Sequence, residues 1–212
     1  MEEHARLFDC IVAGDAKGAR ALTEAALANK VDPNLLLNEQ MIPAMRDVGK
    51  RFEAGEYFVP DLLTSARAMK ASLELLRPLL ASGGAKPLGR VAIGTVKGDL
   101  HDIGKNLVAA MLEGGGFEVI DLGSDVPAER IIETIRTQHV NLVAISALLT
   151  TTMASMKSVI DDIIRAGLRN EVKIIVGGAP LTQKFADQIG ADGFSDNANG
   201  AVELSRRLLG AA

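Results

Sequence analysis

Two hydrophobic periods divide the chain. From residue 2 to about residue 80 the apolar positions recur at helical spacing. Leu7, Cys10, Ile11 and Val12 form a short first stripe that ends near Gly14. Asp15 offers a cap for a second helix, which runs through Ala19, Leu22, Ala26 and Leu27 to about Asn29. Asp32 followed by Pro33 marks a third start, an N-cap with proline in the first turn. This helix carries Leu36, Leu37, Met41, Met45 and Val48 toward Phe52. Pro43 inside it predicts a kink, because its ring removes one backbone bond and crowds the preceding turn. Glu53, Ala54 and Gly55 break the pattern, and Pro60 helps to open a fourth helix through Leu62, Leu63, Ala66, Met69, Leu73 and Leu76 to Leu80. Four helices on short loops predict a small bundle.

Residues 81–89, rich in Gly, Ala and Ser, read as a linker. Beyond them short β-rich runs alternate with helical stretches. Strands are expected at 90–95, 117–122, 141–146, 172–176 and 192–195. Helices are expected at 102–113, 127–138, 152–166, 181–189 and about 199–209. Five β/α units imply a parallel sheet with helices on both faces and right-handed crossovers. We adopt the flavodoxin-like strand order 2-1-3-4-5. The expected boundaries are 1–82 for the helical half, 83–89 for the linker and 90–212 for the α/β half.

Composition narrows the function more than the fold. A net charge of −4 with no basic run argues against nucleic acid, and few aromatics are present to stack on bases. Cys10 is the only cysteine, which fits a reducing, cytoplasmic setting. The acidic start lacks the apolar stretch of a signal peptide, and no apolar run approaches a membrane span. No phosphate-loop or dinucleotide glycine motif occurs.

Chemistry concentrates at the ends of three predicted strands, which share one edge of the sheet. After the first come Asp99, His101 and Gly104; after the third, Ser146 and the run Thr150–Thr152; after the fourth, Gly177 and Gly178. Asp99 and His101, two apart, lie on one side of an extended segment. A carboxylate bonded to one imidazole nitrogen makes the other a better metal ligand. The plain alternative makes Asp99 a helix cap and His101 a satisfied polar neighbour. Gly104 in a first helical turn costs about 1 kcal/mol against alanine, which points to close approach by something at that backbone. Ser146 and the threonines also suit helix caps, and the paired glycines suit an ordinary turn. One histidine is too few for zinc, which takes at least three protein ligands. It is enough for a metal that arrives with its other ligands attached.

Together, Asp99-x-His101-x-x-Gly104, Ser146-x-Leu148 and Gly177-Gly178 resemble the cobalamin-binding signature of methionine synthase and of the corrinoid proteins of methyltransferase systems. Residues 119–123 and 126–129 resemble further family segments. The N-terminal half is similar to the family's four-helix cap at 48–52, 58–60, 65–67 and 69–70. The similarity covers nearly the whole chain.

The resemblance implies a Rossmann-like, flavodoxin-like, five-stranded cobalamin-binding domain behind an all-α four-helix bundle cap. It implies cobalamin bound base-off, its tail threaded into the α/β domain and His101 as the lower ligand of cobalt. Asp99 then orients the ring, and Thr152 takes the third place in the relay, where the family often has serine. Asp102, Ile103, Thr150, Ser146 and Leu148 fall beside the cofactor, and Gly104, Gly177 and Gly178 give its tail room. Phe52 and Val59 match cap positions over the upper corrin face, the second being leucine in methionine synthase; packing in the bundle core is the alternative for both. The implied activity is methyl carriage between cob(I)alamin and methylcobalamin, with no catalysis by the carrier alone. The implied partners are a substrate-specific methyltransferase, a second methyltransferase that passes the methyl to tetrahydrofolate, tetrahydromethanopterin or a thiol, and a reductive activation protein. With no further domain for folate, homocysteine or S-adenosylmethionine, the expectation is a stand-alone carrier. A mutase cobalamin subunit normally lacks the cap, and a cobalamin-dependent sensor usually adds a DNA-binding domain. A plain flavodoxin or receiver domain leaves residues 1–80 unexplained.

Overall fold

The computed structural model describes residues 2–82 and 87–210, so residues 83–86 of the expected linker lie outside the described residues. Two compact units divide the chain. One runs to Pro87 and includes Glu113–Gly116; the other takes Leu88–Leu112 and the chain from Phe117 onward.

The first unit is helical, with α1 (Glu2–Val12), α2 (Ala16–Ala28), α3 (Pro33–Leu36), α4 (Ile42–Glu53) and α5 (Val59–Ser82). Its starts are built as the sequence implies. The Asp15 carboxylate accepts the Gly18 N–H at 2.9 Å, and the Asp32 carboxylate accepts the Asn34 N–H at 2.9 Å. Leu7, Ile11, Leu36, Met41, Leu62, Met69 and Leu76 are fully buried. Each such side chain contributes about 1.5–3 kcal/mol through lost apolar surface. The hydroxyls of Tyr57 and Ser65 both donate to the Val12 carbonyl at 3.1 Å, satisfying an acceptor that α1 leaves open at its end.

The disturbance expected at Pro43 takes the form of a π turn. This turn, Leu37–Met41, joins α3 to α4, and the Ile42 N–H donates to the Leu37 carbonyl five residues back. Proline has no N–H to give to Glu39, and its ring crowds that carbonyl. Widening the turn just upstream relieves the crowding without ending the helix.

The second unit holds five parallel strands, β1 (Arg90–Thr95), β2 (Glu118–Asp121), β3 (Leu142–Ser146), β4 (Lys173–Gly177) and β5 (Gly193–Ser195), in the order β2-β1-β3-β4-β5. The expected order 2-1-3-4-5 is the observed one. Between and after the strands run α6 (Ile103–Gly114), α7 (Ala128–Gln138), α8 (Met153–Arg165), α9 (Gln183–Ile189) and α10 (Ala198–Leu209). β1 is buried from Val91 onward because helices cover both faces of a parallel sheet. Register decides what meets at the carboxyl edge: Thr95 pairs with Ser146, Ser146 with Gly177, and Gly177 with Ser195. The loops after β1, β3 and β4 therefore start from one row. Strand order reverses at β1, the crevice where open α/β sheets bind ligands. Among the described residues no helix is long and apolar enough to cross a membrane.

Candidate functional site

Asp99 is fully buried just past β1, yet it is charged. Its Oδ1 accepts the His101 backbone N–H at 3.1 Å and the ring Nδ1–H at 2.7 Å. Its Oδ2 accepts the Leu148 N–H at 2.8 Å, the Leu149 N–H at 3.2 Å and the Thr152 hydroxyl at 2.8 Å. Burial alone raises a carboxyl pKa. Here the Leu148 N–H, the His101 ring and backbone and the Thr152 hydroxyl outweigh it, holding Asp99 well below the usual carboxylate range.

The three donors to Oδ2 come from the turn between β3 and α8, whose N–H groups precede the helix and have no partners within it. The reading of Asp99 as a cap for α6 is thereby replaced: its carboxylate bonds across to the β3 loop, 49 to 53 residues away in the chain. Thr152 occupies the N-cap position of α8 but makes no side-chain cap bond. Its hydroxyl has one proton, and the ionised Asp99 oxygen is a stronger acceptor than the Leu149 carbonyl at 2.9 Å. Thr152→Val keeps the shape and removes this donor. We expect it to cost the apoprotein about 1.5–3 kcal/mol, read by urea denaturation; a loss under half a kcal/mol would show the hydroxyl to be idle.

With Asp99 ionised, the imidazole donates from Nδ1, the tautomer that leaves the Nε2 lone pair free. Nε2 has no protein partner among the described residues, and the side chain is half exposed at 51%. The Thr95 hydroxyl, fully buried, holds the His101 carbonyl at 2.9 Å. The two loops that meet at Asp99 also expose large apolar side chains. Leu100 is 74% exposed and Ile103 80%, with Leu148 and Leu149 also exposed. Large exposed apolar groups gathered on one loop cluster mark a binding surface.

The remaining sequence candidates fall into three groups. Asp102, Ile103 and Gly104 form the exposed start of α6, and a Cβ built on Gly104 meets nothing within 4 Å. Thr150 is exposed on the β3 loop. Ser146, half-buried at its strand end, makes no side-chain hydrogen bond among the described residues. Gly177 and Gly178 have reasons of their own: a Cβ on Gly177 lies 3.1 Å from the Ser195 carbonyl oxygen, and one on Gly178, at φ +137°, lies 1.9 Å from that of Ala147. In the helical unit Phe52 is half-buried. Val59, at the first residue of α5, is 39% exposed beside an exposed Phe58, so it is not a bundle-core residue.

Thr95, Leu100 and Leu149 escaped the sequence reading. Leu100, an apolar residue set between Asp99 and His101 in a polar loop, carried a readable signal. Thr95 ends a strand of small and apolar residues and carried none.

The donor set defines what fits. Among the described residues no group of three or more His, Cys, Asp or Glu side chains is placed to hold a metal ion. A single imidazole with a free Nε2, beside loops that expose leucine and isoleucine, suits a metal already coordinated by a broad, largely apolar ring. It does not suit a hydrated ion.

Known proteins show the same combination. The family described as "B12 binding domain" matches residues 89–203, and a second family of that description matches residues 3–77. The trimethylamine corrinoid protein 1 of Methanosarcina acetivorans is 40% identical over 207 residues, covering 97% of this chain and 96% of that protein. The dimethylamine corrinoid protein of Methanosarcina barkeri is 41% identical over 204 residues, covering 96% and 95%. In the crystal structure of the methanol:cobalamin methyltransferase complex of Methanosarcina barkeri, one chain matches with a TM-score of 0.87 at 29% identity, covering 100% of this chain and 81% of that one.

Proposed function

The chain belongs to the B12-binding corrinoid proteins, and on that premise we propose that it carries a methyl group on cobalamin between partners of a methyltransferase system. Bound cobalamin supplies a cobalt centre that accepts and releases a methyl group. The observation that carries the reading is the Asp99–His101–Thr152 relay, which leaves Nε2 as the one open ligand atom.

In this reading the protein holds the cofactor base-off and His-on. His101 Nε2 would be the atom that holds the cobalt. Asp99 fixes the ring and its tautomer, and Thr152 with the Leu148 and Leu149 amides keeps Asp99 ionised. Asp102, Ile103, Gly104 and Thr150 border the cofactor; Ser146, Leu148, Gly177 and Gly178 border its tail at the row where β1, β3 and β4 end. By the family resemblance, Phe52 and Val59 would be the residues that keep water from the cofactor. Were Nε2 to hold a proton in place of the metal, the ionised Asp99 beside the ring would balance its charge.

The substrate-specific partner is a methyltransferase for a small methylated compound, with methylamines and methanol the first to assay. A second methyltransferase removes the methyl to tetrahydrofolate, tetrahydromethanopterin or a thiol, and a reductive activation protein restores oxidised carrier. A cytoplasmic setting fits a chain with one cysteine.

Reconstitution tests the reading. Apoprotein incubated with hydroxocobalamin under reducing conditions should keep a corrin absorption spectrum through gel filtration. Its Co(II) form, prepared from protein carrying nitrogen-15 histidine, should show nitrogen-15 splitting in the EPR spectrum, and His101→Ala should abolish that splitting. Absence of retained corrin overturns the cofactor reading; splitting that survives in His101→Ala overturns the ligand assignment.

A further inference from the structure

A second loop grips the segment that bears His101. After β2 the chain passes through Gly123, Ser124 and Asp125 before Val126 bridges Val96 in parallel. The Thr95 N–H donates to the Gly123 carbonyl at 3.0 Å, and the Val126 N–H to the Thr95 carbonyl at 2.9 Å. These two bonds merely extend the sheet. The next two belong to Asp125. Its backbone N–H donates to the Asp99 carbonyl at 3.0 Å, and its carboxylate accepts the Gly98 N–H at 2.7 Å.

One residue therefore holds both neighbours in the stretch that leads to His101. It does so at φ +55°, a left-handed conformation that Asp and Asn tolerate better than other side chains. Gly98, its partner, also has positive φ, at +87°. Glycine adopts its conformation freely, so nothing in the Gly98 backbone itself fixes the turn, and the bond from Asp125 supplies that constraint. Asp125 touches neither the imidazole nor the Asp99 carboxylate; it holds the backbone to which both are attached.

We propose that Asp125 is a positioning residue for axial ligation: it fixes Gly98 and Asp99 so that His101 is presented ready to bind. The proposal rests on the reading of His101 as the cobalt ligand. Its physical basis is preorganisation. A ligand binds more tightly when its loop need not be ordered on binding. Thr95, which holds the His101 carbonyl, anchors the other end of the same short loop.

Competition by free imidazole provides the test. Holoprotein carrying nitrogen-15 histidine is brought to the Co(II) state, and unlabelled imidazole is added until the nitrogen-15 splitting gives way to nitrogen-14. Asp125→Gly keeps the backbone conformation but loses the carboxylate. Its midpoint should fall about tenfold, the scale of one charge-assisted hydrogen bond. Asp125→Asn retains an acceptor oxygen and tolerates the same φ, so its midpoint should stay near that of the wild type. In the apoproteins, Gly98 amide exchange should rise about tenfold for Asp125→Gly alone, a readout that needs no cofactor.

A midpoint unchanged in Asp125→Gly overturns the proposal, and so does an Asn variant as weak as the Gly variant. If Asp125→Gly retains no corrin, unchanged Gly98 exchange in its apoprotein overturns it instead. Loss of the nitrogen-15 splitting in the wild type is a different outcome, which defeats the His101 assignment itself.

Discussion

Gly178→Ala is expected to destabilise the apoprotein by about 3 kcal/mol or more, while Gly104→Ala leaves it equally stable or up to about 1 kcal/mol more stable. The two glycines belong to the same signature but answer to different demands. A methyl group on Gly178 would lie 1.9 Å from the Ala147 oxygen and 2.9 Å from its carbonyl carbon, at a φ of +137°. Both obstacles are backbone, so relief requires moving β3 or β4 at the edge where Ala147 N–H bonds the Gly177 carbonyl. Gly104 faces open space in the first turn of α6, where alanine is the better helix former. If cobalamin approaches that backbone closely, Gly104→Ala should weaken cofactor retention while its apoprotein melts no lower than the wild type. Thermal unfolding of the two apoproteins, followed by cobalamin retention on gel filtration, separates the roles. A stable Gly178→Ala apoprotein would contradict the first half, and undiminished retention by Gly104→Ala the second.

Asp99→Asn is expected to cost the apoprotein about 3 kcal/mol and to remove His101 as a ligand in the holoprotein. An asparagine must turn its NH2 toward one of two groups of donors. On the Oδ2 side stand two backbone N–H groups, of Leu148 and Leu149, which cannot reverse. On the Oδ1 side stands one backbone N–H and the imidazole, and the imidazole can reverse by changing tautomer. The second orientation is the cheaper. It leaves Nδ1 accepting and Nε2 protonated, so the atom needed for the metal loses its lone pair. EPR of Co(II) holoprotein should then show no splitting from protein nitrogen, although His101 is intact.

The same residue sets an acid dependence. Asp99 is held below the range of an unfolded aspartate, so its ionised form stabilises the native chain at neutral pH. That contribution is constant above about pH 4 and is lost progressively as the pH falls below it. The stability gap between wild type and Asp99→Asn should be equal at pH 7 and pH 5 and smaller at pH 3. A gap that grows on acidification would contradict this account.

The sequence reached the elements because continuous aliphatic runs and capped amphipathic stretches are local properties. β1 begins and ends where expected, and the caps at Asp15 and Asp32 are in place. The pairing of Asp99 with His101 was legible for the same reason, since two residues separate cause and effect. Of its other partners, Thr152 was given by the family resemblance, and the rest were not legible. Two are backbone amides, which look alike at every position in a sequence, and they come from a loop some fifty residues downstream. Gly178 was legible as a glycine but not for its reason, because the carbonyl it avoids belongs to the neighbouring strand. The π turn before Pro43 shows a third limit: sequence announces that a proline must disturb its helix, while the surrounding packing selects how.

The bonds from Asp99 to the β3 loop bear on the life of the chain before it is finished. Until β3 has been synthesised and docked beside β1, Asp99 is a hydrated carboxylate on a loose segment, and His101 is no better a ligand than a histidine in any unstructured peptide. If His101 is the cobalt ligand, a chain in which β3 has not yet paired with β1 lacks the oriented imidazole that ligation would use.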